Sequence, residues 1–363
     1  MRLFQNSDFY PGYAPRLRTL DRACTSFAEA RRAFLQDRFG ACHILLPVLE
    51  ENPAAFYANG SDEKTQRMWA AEHGMTASVS LREILLAQIE EHRTEVFYNL
   101  DPMKFQSDFV RALPGCVQCS IAWRAAPSPG ADFAAYDRVV SNFPGILQRY
   151  AAMGWKVGHL FPAIDPVMDE YAQATARPMD VVFVGGFSRH HGQRVEILEA
   201  VAEQCADLRI AYHLDCSRIS RIAETPMGLI PPLRRHRRPK AIRRIAKPAA
   251  FGRALYEVLG SAKMVVNGAI DMAGRERGNM RCFEAIGCGA VLVTDDGLYP
   301  SEFINGETML IYRSPGEAVE VIRRALVDPD GLGAMAAQAH ASIRAAYSKE
   351  AQWRAFLALV EGI

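Results

Sequence analysis

The sequence predicts an α/β protein built from two Rossmann-like domains facing a cleft. Three observations lead there. A chain of 363 residues is long for one core and suits two domains. Apolar runs of strand length alternate with stretches of helical periodicity, which implies βαβ units and a parallel sheet. That alternation halts at a Pro-rich exit, F-P-A-I-D-P at 161–166, and then starts again.

In order, residues 2–5 read as a short first strand, with a turn at Tyr10-Pro11-Gly12-Tyr13. A helix is expected over 23–39 and a strand over the apolar run 41–49. Helices follow at 64–72 and 80–90, then a strand at 96–99 ending at Asp101-Pro102. A helix over 105–113 leads to a buried strand at 116–123. The loop 124–132 carries two Pro and a Gly. A strand at 138–141, a helix at 144–153 and a strand at 156–161 complete a first domain, 1–165. The second domain, 166–345, opens with a strand at 179–184 that ends at Gly185-Gly186. Helix 194–204, strand 208–213, helix 251–259 and strand 263–267 come next. After the stretch described below come a strand at 308–312 and helices at 316–327 and 331–347. A last helix, 350–359, lies in the segment 346–363.

The stretch 274–304, G-R-E-R-G-N-M-R-C-F-E-A-I-G-C-G-A-V-L-V-T-D-D-G-L-Y-P-S-E-F-I, holds the densest set of signals. Gly274 and Gly278 mark a loop, and Asn279 is a good helix N-cap. Met280, Phe283 and Ile286 repeat at helical spacing, and Gly287 and Gly289 stop the helix. Residues 290–294 form a continuous apolar run, as expected of a strand buried on both faces. Ligands of open α/β sheets bind beyond the carboxyl ends of the strands. Glu276, Glu284 and Asp296 are therefore acidic candidates near one crevice. Glu284 stands out, because a carboxylate in so apolar a helix needs partners.

Composition is that of an ordinary globular protein: 49 % apolar, 23 % charged and a formal charge of +1. No overall charge announces a polyanion partner. The eight Cys are scattered, mostly in apolar runs, and read as buried reduced thiols. Cys116 and Cys119 form a lone C-x-x-C with no second pair, so neither zinc nor redox use is expected. The N-terminal residues lack a signal-peptide core, and no apolar run has membrane-spanning length. The expected location is the cytoplasm, with a peripheral membrane contact left open by the basic run described below.

Glu276 and Glu284 are separated by seven residues. That spacing, followed by E-A-x-x-x-G and a buried strand, resembles the E-x7-E signature of retaining glycosyltransferases of the GT-B type (group 1, family 4-like). The run N-M-R-C-F-E-A-I-G-C-G-A-V-L-V-T-D-D is similar to their CgeB-like branch. The resemblance implies transfer of a sugar from a nucleotide diphosphate-sugar to an acceptor hydroxyl, with retention, no metal and no cofactor. It also implies a last helix that crosses back onto the first domain. Two other readings stay open: a nucleotide-sugar epimerase of the same fold, and a non-catalytic carbohydrate-binding or scaffold module.

Site residues follow from residues and resemblance together. V-G-G-F-S-R-H-H-G-Q-R, 184–194, reads as strand, glycine turn and helix start. Glycines let a backbone approach a diphosphate, and a helix N-terminus favours anions. Gly185, Gly186 and Arg189 are thus donor-binding candidates. The resemblance assigns Arg194 to the leaving diphosphate and Glu276 to catalysis beside it. It places Gly12, Asn267, Arg281, Glu284, Asp296 and Gly297 around the donor. Asp328-x-Asp330 lies in a turn between helices and is set aside as a metal site. Relatives often carry a His after a first-domain strand, where this chain has Ala122-Trp123-Arg124. The basic run from Arg234 to Lys247 suits a solvated loop, an anionic acceptor or an acidic membrane surface; nucleic acid is not expected. The acceptor itself, glycan, lipid-linked or protein, is open.

Overall fold

The protein is described from a computed structural model that covers the chain except residues 188–191, 216–217, 235 and 269–273. It divides into two compact units. Unit 1 comprises Met1–Ala163, Met272–Glu276 and Lys349–Ile363; unit 2 comprises Ile164–Asp271 and Arg277–Ser348.

Unit 1 is built on six parallel strands: β1 (Leu3–Ser7), β2 (Ala55–Asn59), β3 (Val96–Asn99), β4 (Cys119–Trp123), β5 (Arg138–Ser141) and β6 (Val157–His159). Their order is β2-β1-β3-β4-β5-β6. Phe4, Phe97, Ala122 and Val139 anchor one core, together with Leu85 and Ile89 from the helix Leu81–Glu91. That helix begins with a full capping box, in which Ser80 and Glu83 satisfy each other's backbone N–H groups.

Unit 2 repeats the plan with β7 (Met179–Gly186), β8 (Ile210–Asp215), β9 (Ala246–Pro248), β10 (Ala262–Val266), β11 (Val291–Asp295) and β12 (Met309–Tyr312). The order is β12-β11-β10-β7-β8-β9, again all parallel. β11 is buried along its whole length, as its apolar sequence predicts.

Several expectations are corrected. The apolar run 41–49 is not a strand but a short 3-10 turn, Ala41–His43, and one helical turn, Leu46–Leu49; the strand is Ala55–Asn59. The run's backbone needs no sheet partner. Lys349 Nζ donates to the carbonyls of Ala41 and Ile44 at 2.6 and 2.7 Å, and Gln352 Nε2 donates to that of Cys42 at 2.9 Å. Lys349 and Gln352 belong to the last helix, Lys349–Glu361, which packs within unit 1. Gly185 and Gly186 are not a turn: they still pair with Leu214 and Asp215 inside the sheet. A helix, Ala14–Leu20, follows the turn at 10–13, and a third strand, β9, ends the basic run.

Candidate active site

In unit 2 the strand order doubles back between β7 and β10, and the carboxyl ends of those strands form the crevice where open α/β sheets bind ligands. Three sequence-predicted residues meet there. β7 runs out through Gly185 and Gly186, which enter the sheet's last rung. The helix Gly192–Gln204 follows, and Arg194 stands in its first turn. Arg194 reaches across the switch point: its Nη2 donates to the carbonyl of Gly268, just beyond β10. Its guanidinium also lies 6.0 Å from the centre of the Phe183 ring. A cation in the first turn of a helix opposes the positive end of the helix dipole. An anion in the crevice would relieve that opposition.

Asn267 is buried between β10 and β11. Its Nδ2 donates to Thr294 Oγ1 at 3.3 Å, and its carbonyl accepts from the Tyr312 hydroxyl. It therefore fixes the strand ends rather than standing open. Gly268 is close-packed: an added Cβ would lie 3.4 Å from the Tyr312 hydroxyl and 3.7 Å from Arg194 Cγ.

The helix Met280–Gly287 presents Glu284, 2 % exposed, to the interior. Arg281 supplies its partner, Nη1 to Oε2 at 2.7 Å, one helical turn away. Burial raises the Glu284 pKa and the Arg281 charge only partly offsets it. Asn279 occupies the N-cap position, but its side chain makes no capping bond; it accepts from Cys282 Sγ at 3.5 Å and leans toward Asn267 at 3.4 Å. Asp296 and Gly297 follow β11, half-buried, with the Asp296 N–H on the Tyr312 carbonyl at 2.9 Å.

Sequence reading missed the neighbouring pair. Arg277 Nε donates to Asp295 Oδ2 at 2.7 Å, and both side chains are largely buried. The signal was available as a charged residue closing an apolar strand, β11, eighteen positions after an Arg in the preceding loop.

Two predicted residues lie elsewhere. Glu276 belongs to unit 1, where its Oε1 accepts from the Gly145 N–H at 2.6 Å. Gly145 is in the first turn of the helix Pro144–Ala152, an orphan-donor position that favours a carboxylate. Gly12 is also in unit 1, in the turn before Ala14–Leu20, next to buried Tyr13. Arg189 lies outside the described residues, as do His190 and His191. Asp328 N-caps the helix Pro329–Ala346, accepting from the Gly331 N–H at 2.9 Å, which accounts for the D-x-D spacing. Among the described residues no group of three or more His, Cys, Asp or Glu is placed to hold a metal ion.

No His stands at 122–124, but one arrives from another segment. The His43 ring lies 4.2 Å, centre to centre, from that of Trp123 at the carboxyl end of β4. Burial, reinforced by the Lys349 charge, pushes its pKa down to about 3, so it is neutral at physiological pH.

Residues 234–358 match a protein-family model described as glycosyl transferase-like. That match covers about a third of the chain, and the chain as a whole has the GT-B fold. Solved structures resemble it over its whole length. Anabaena HepE in complex with UDP and glucose has 13 % identity and a TM-score of 0.62, covering 100 % of both chains. A glycosyltransferase from Rickettsia africae has 9 % identity and a TM-score of 0.59, covering 99 % of this chain and 97 % of that one. The sucrose-phosphate synthase of Thermosynechococcus elongatus has 15 % identity and a TM-score of 0.55, covering 99 % and 98 %. No curated protein matches by sequence. Among the described residues no helix is long and apolar enough to cross a membrane.

Proposed function

We propose that this protein is a glycosyltransferase that takes its sugar from a nucleoside diphosphate-sugar, with UDP as the first nucleotide to test, and delivers it with retention to an acceptor hydroxyl. The observation that carries the donor assignment is the Arg194 guanidinium, set in the first turn of a helix and bridged to Gly268 across the switch point of unit 2. Arg194 and the helix N-terminus supply fixed positive charge where the leaving diphosphate would gather negative charge. A metal ion is not required for that task. UDP comes first because it is the nucleotide in the similar HepE complexes.

In the proposed reaction the bond from the anomeric carbon to the β-phosphate oxygen breaks. The acceptor oxygen forms the new bond on the same face, and its proton passes to the departing phosphate. No protein base is then needed. Glu284, already held by Arg281, binds the ribose hydroxyls, and Glu276 with the Asp296-Gly297 loop acts on the donor sugar.

Isothermal titration with UDP, GDP, dTDP and ADP, followed by incubation with the matching nucleotide-sugars without acceptor, tests the reading. Slow release of nucleotide plus free sugar, unaffected by chelator, is expected. A new nucleotide-sugar would mean an epimerase. No binding of any diphosphate would overturn the proposal.

A further inference from the structure

Between β8 and β9, unit 2 carries a basic insert at the edge of its sheet. Residues 218–247 hold ten Lys or Arg and one acidic residue, Glu224, although the whole chain is nearly neutral. Its members divide into two sets. Arg237 Nη1 donates to the Thr225 carbonyl at 3.0 Å, and Arg238 Nη2 to Glu224 Oε2 at 2.7 Å, with Arg238 buried. These inner arginines fasten the run to the helix Arg218–Ala223 and the turn Pro226–Leu229. Gly228 backs so closely on Ala223 that an added Cβ would fall 1.6 Å from its carbonyl oxygen, so only glycine fits. The outer set, Arg221, Arg234, Lys240 and Arg244, is exposed.

The same insert exposes large aliphatic side chains. Ile219, Ile222, Met227 and Ile230 are each about half exposed, in a segment of twelve residues. Ile219 and Ile222 are three apart on one helix and so share a face. Apolar side chains held out on a fastened frame that also exposes basic ones match the interface of an anionic bilayer. Aliphatic groups enter the acyl boundary while guanidinium groups take lipid phosphates. Single-stranded nucleic acid fits less well, because the insert has no Phe, Tyr or Trp on which bases could stack.

We infer that the insert 218–247 docks unit 2 on an anionic membrane surface, with Ile219, Ile222, Met227 and Ile230 entering the lipid. The contact is peripheral and independent of donor chemistry. It leaves from the carboxyl end of β8, the sheet end that also carries Arg194 and Asn267, so docking brings lipid-borne substrates to the donor crevice's side of the sheet.

Co-sedimentation of the full chain tests this, using vesicles of phosphatidylcholine alone and vesicles that also contain phosphatidylglycerol. Binding to the anionic vesicles should be at least about 10-fold tighter and should weaken as salt rises. Ile222→Asp with Met227→Asp, and separately Arg221→Ser with Arg234→Ser, should each weaken it by about 10-fold. All four side chains are exposed, so the thermal midpoint should hold and certify the fold. Absent binding, equal binding to neutral vesicles, or unchanged binding by either double variant overturns the inference. So does a wild-type dimer that Ile222→Asp with Met227→Asp converts to monomers, which would assign the patch to a second copy of the chain. None of these readouts depends on nucleotide binding.

Discussion

The two sheets are alike in strand number and parallel pairing, yet their switch points carry opposite charge. Counting strands within each unit, unit 2 runs 3-2-1-4-5-6 and turns between β7 and β10; unit 1 runs 2-1-3-4-5-6 and turns between β1 and β3. Unit 2 places the Arg194 guanidinium and a helix N-terminus at its turning point. Unit 1 places carboxylates there. Asp8 follows β1, Asp101 follows β3, and Ser61 Oγ donates to Asp101 at 3.0 Å from beyond β2. Lys104 lies 3.4 Å from Asp8 and 4.0 Å from Asp101, itself mostly exposed. One architecture thus yields one crevice fit for a diphosphate and one that would repel it. The sign of the charge, not the fold, distinguishes the two crevices, and on the proposed reading it separates a donor side from an acceptor side.

Exchanging that charge is the strongest way to break the comparison. Arg194→Ala should lower turnover by about 100- to 1,000-fold, the usual loss when a preorganised group facing developing negative charge is removed. The corresponding change in unit 1, Lys104→Ala, should leave nucleotide affinity within about 2-fold, a few tenths of a kcal/mol. Steady-state kinetics and titration of both variants decide it; a similar loss in both would abolish the distinction between the two crevices.

The acidic crevice also predicts a pH dependence. Burial, with the Asp8 charge adding to it, raises the Asp101 pKa to about 6. An unfolded Asp titrates near 4, so as pH rises from about 4 the unfolded state gives up its proton first and folding stability falls until about pH 6. The loss is at most about 3 kcal/mol, because each pKa unit is worth about 1.4 kcal/mol. Asp101→Asn keeps an acceptor for Ser61 and should flatten this part of the profile. Denaturant titrations at several pH values check it; parallel wild-type and variant curves would remove Asp101 from the account.

Glu284→Gln sharpens the donor side. It keeps the volume and loses the charge, and a hydrogen bond to a charged group contributes roughly 1.5–3 kcal/mol. Nucleotide affinity should fall by about 10-fold or somewhat more, since about 1.4 kcal/mol is a factor of ten. Arg281 loses its ionic partner in the same variant, so stability must be measured beside affinity. Unchanged affinity would release Glu284 from the ribose and leave it as a partner for Arg281 alone.

Much of this architecture was legible in the chain. β3 and β5 lie at 96–99 and 138–141 as their patterns predict, Glu284 stands out from its local context, and the resemblance marks Arg194 and Asn267. Position within a sheet was not legible. The run 41–49 is as apolar as a strand, but Lys349 and Gln352 satisfy its carbonyls from three hundred residues away. β9 escaped notice because it ends in Lys247-Pro248 at the sheet edge, a place in a sheet that tolerates Pro. The Arg277–Asp295 pair and the His43–Trp123 contact depend on which loops the topology brings together. Charge sign at each switch point needs strand order, and strand order is a property of the whole fold.

The smallest expected effect concerns Glu276, the residue whose position most tests the division of labour. Its carboxylate faces the N-terminus of Pro144–Ala152 and accepts from Gly145. Gln at 276 still offers an oxygen to that N–H, and losing the charge–dipole contribution there costs about 0.3–1 kcal/mol of stability. Glu276 lies outside unit 2, which carries Arg194 and Glu284, the residues proposed to hold the nucleotide. Glu276→Gln should therefore leave nucleoside diphosphate affinity within about 2-fold, while lowering turnover through its proposed role on the sugar. Gly145→Ala is a second probe, because an added Cβ would stand 3.2 Å from Glu276 Oε2 and press on the carboxylate without touching its charge. It should reproduce the turnover loss in part and again spare the nucleotide. If Glu276→Gln weakens nucleotide binding as much as Glu284→Gln does, the two carboxylates share one task, and the contrast between the units does not extend to the catalytic residues.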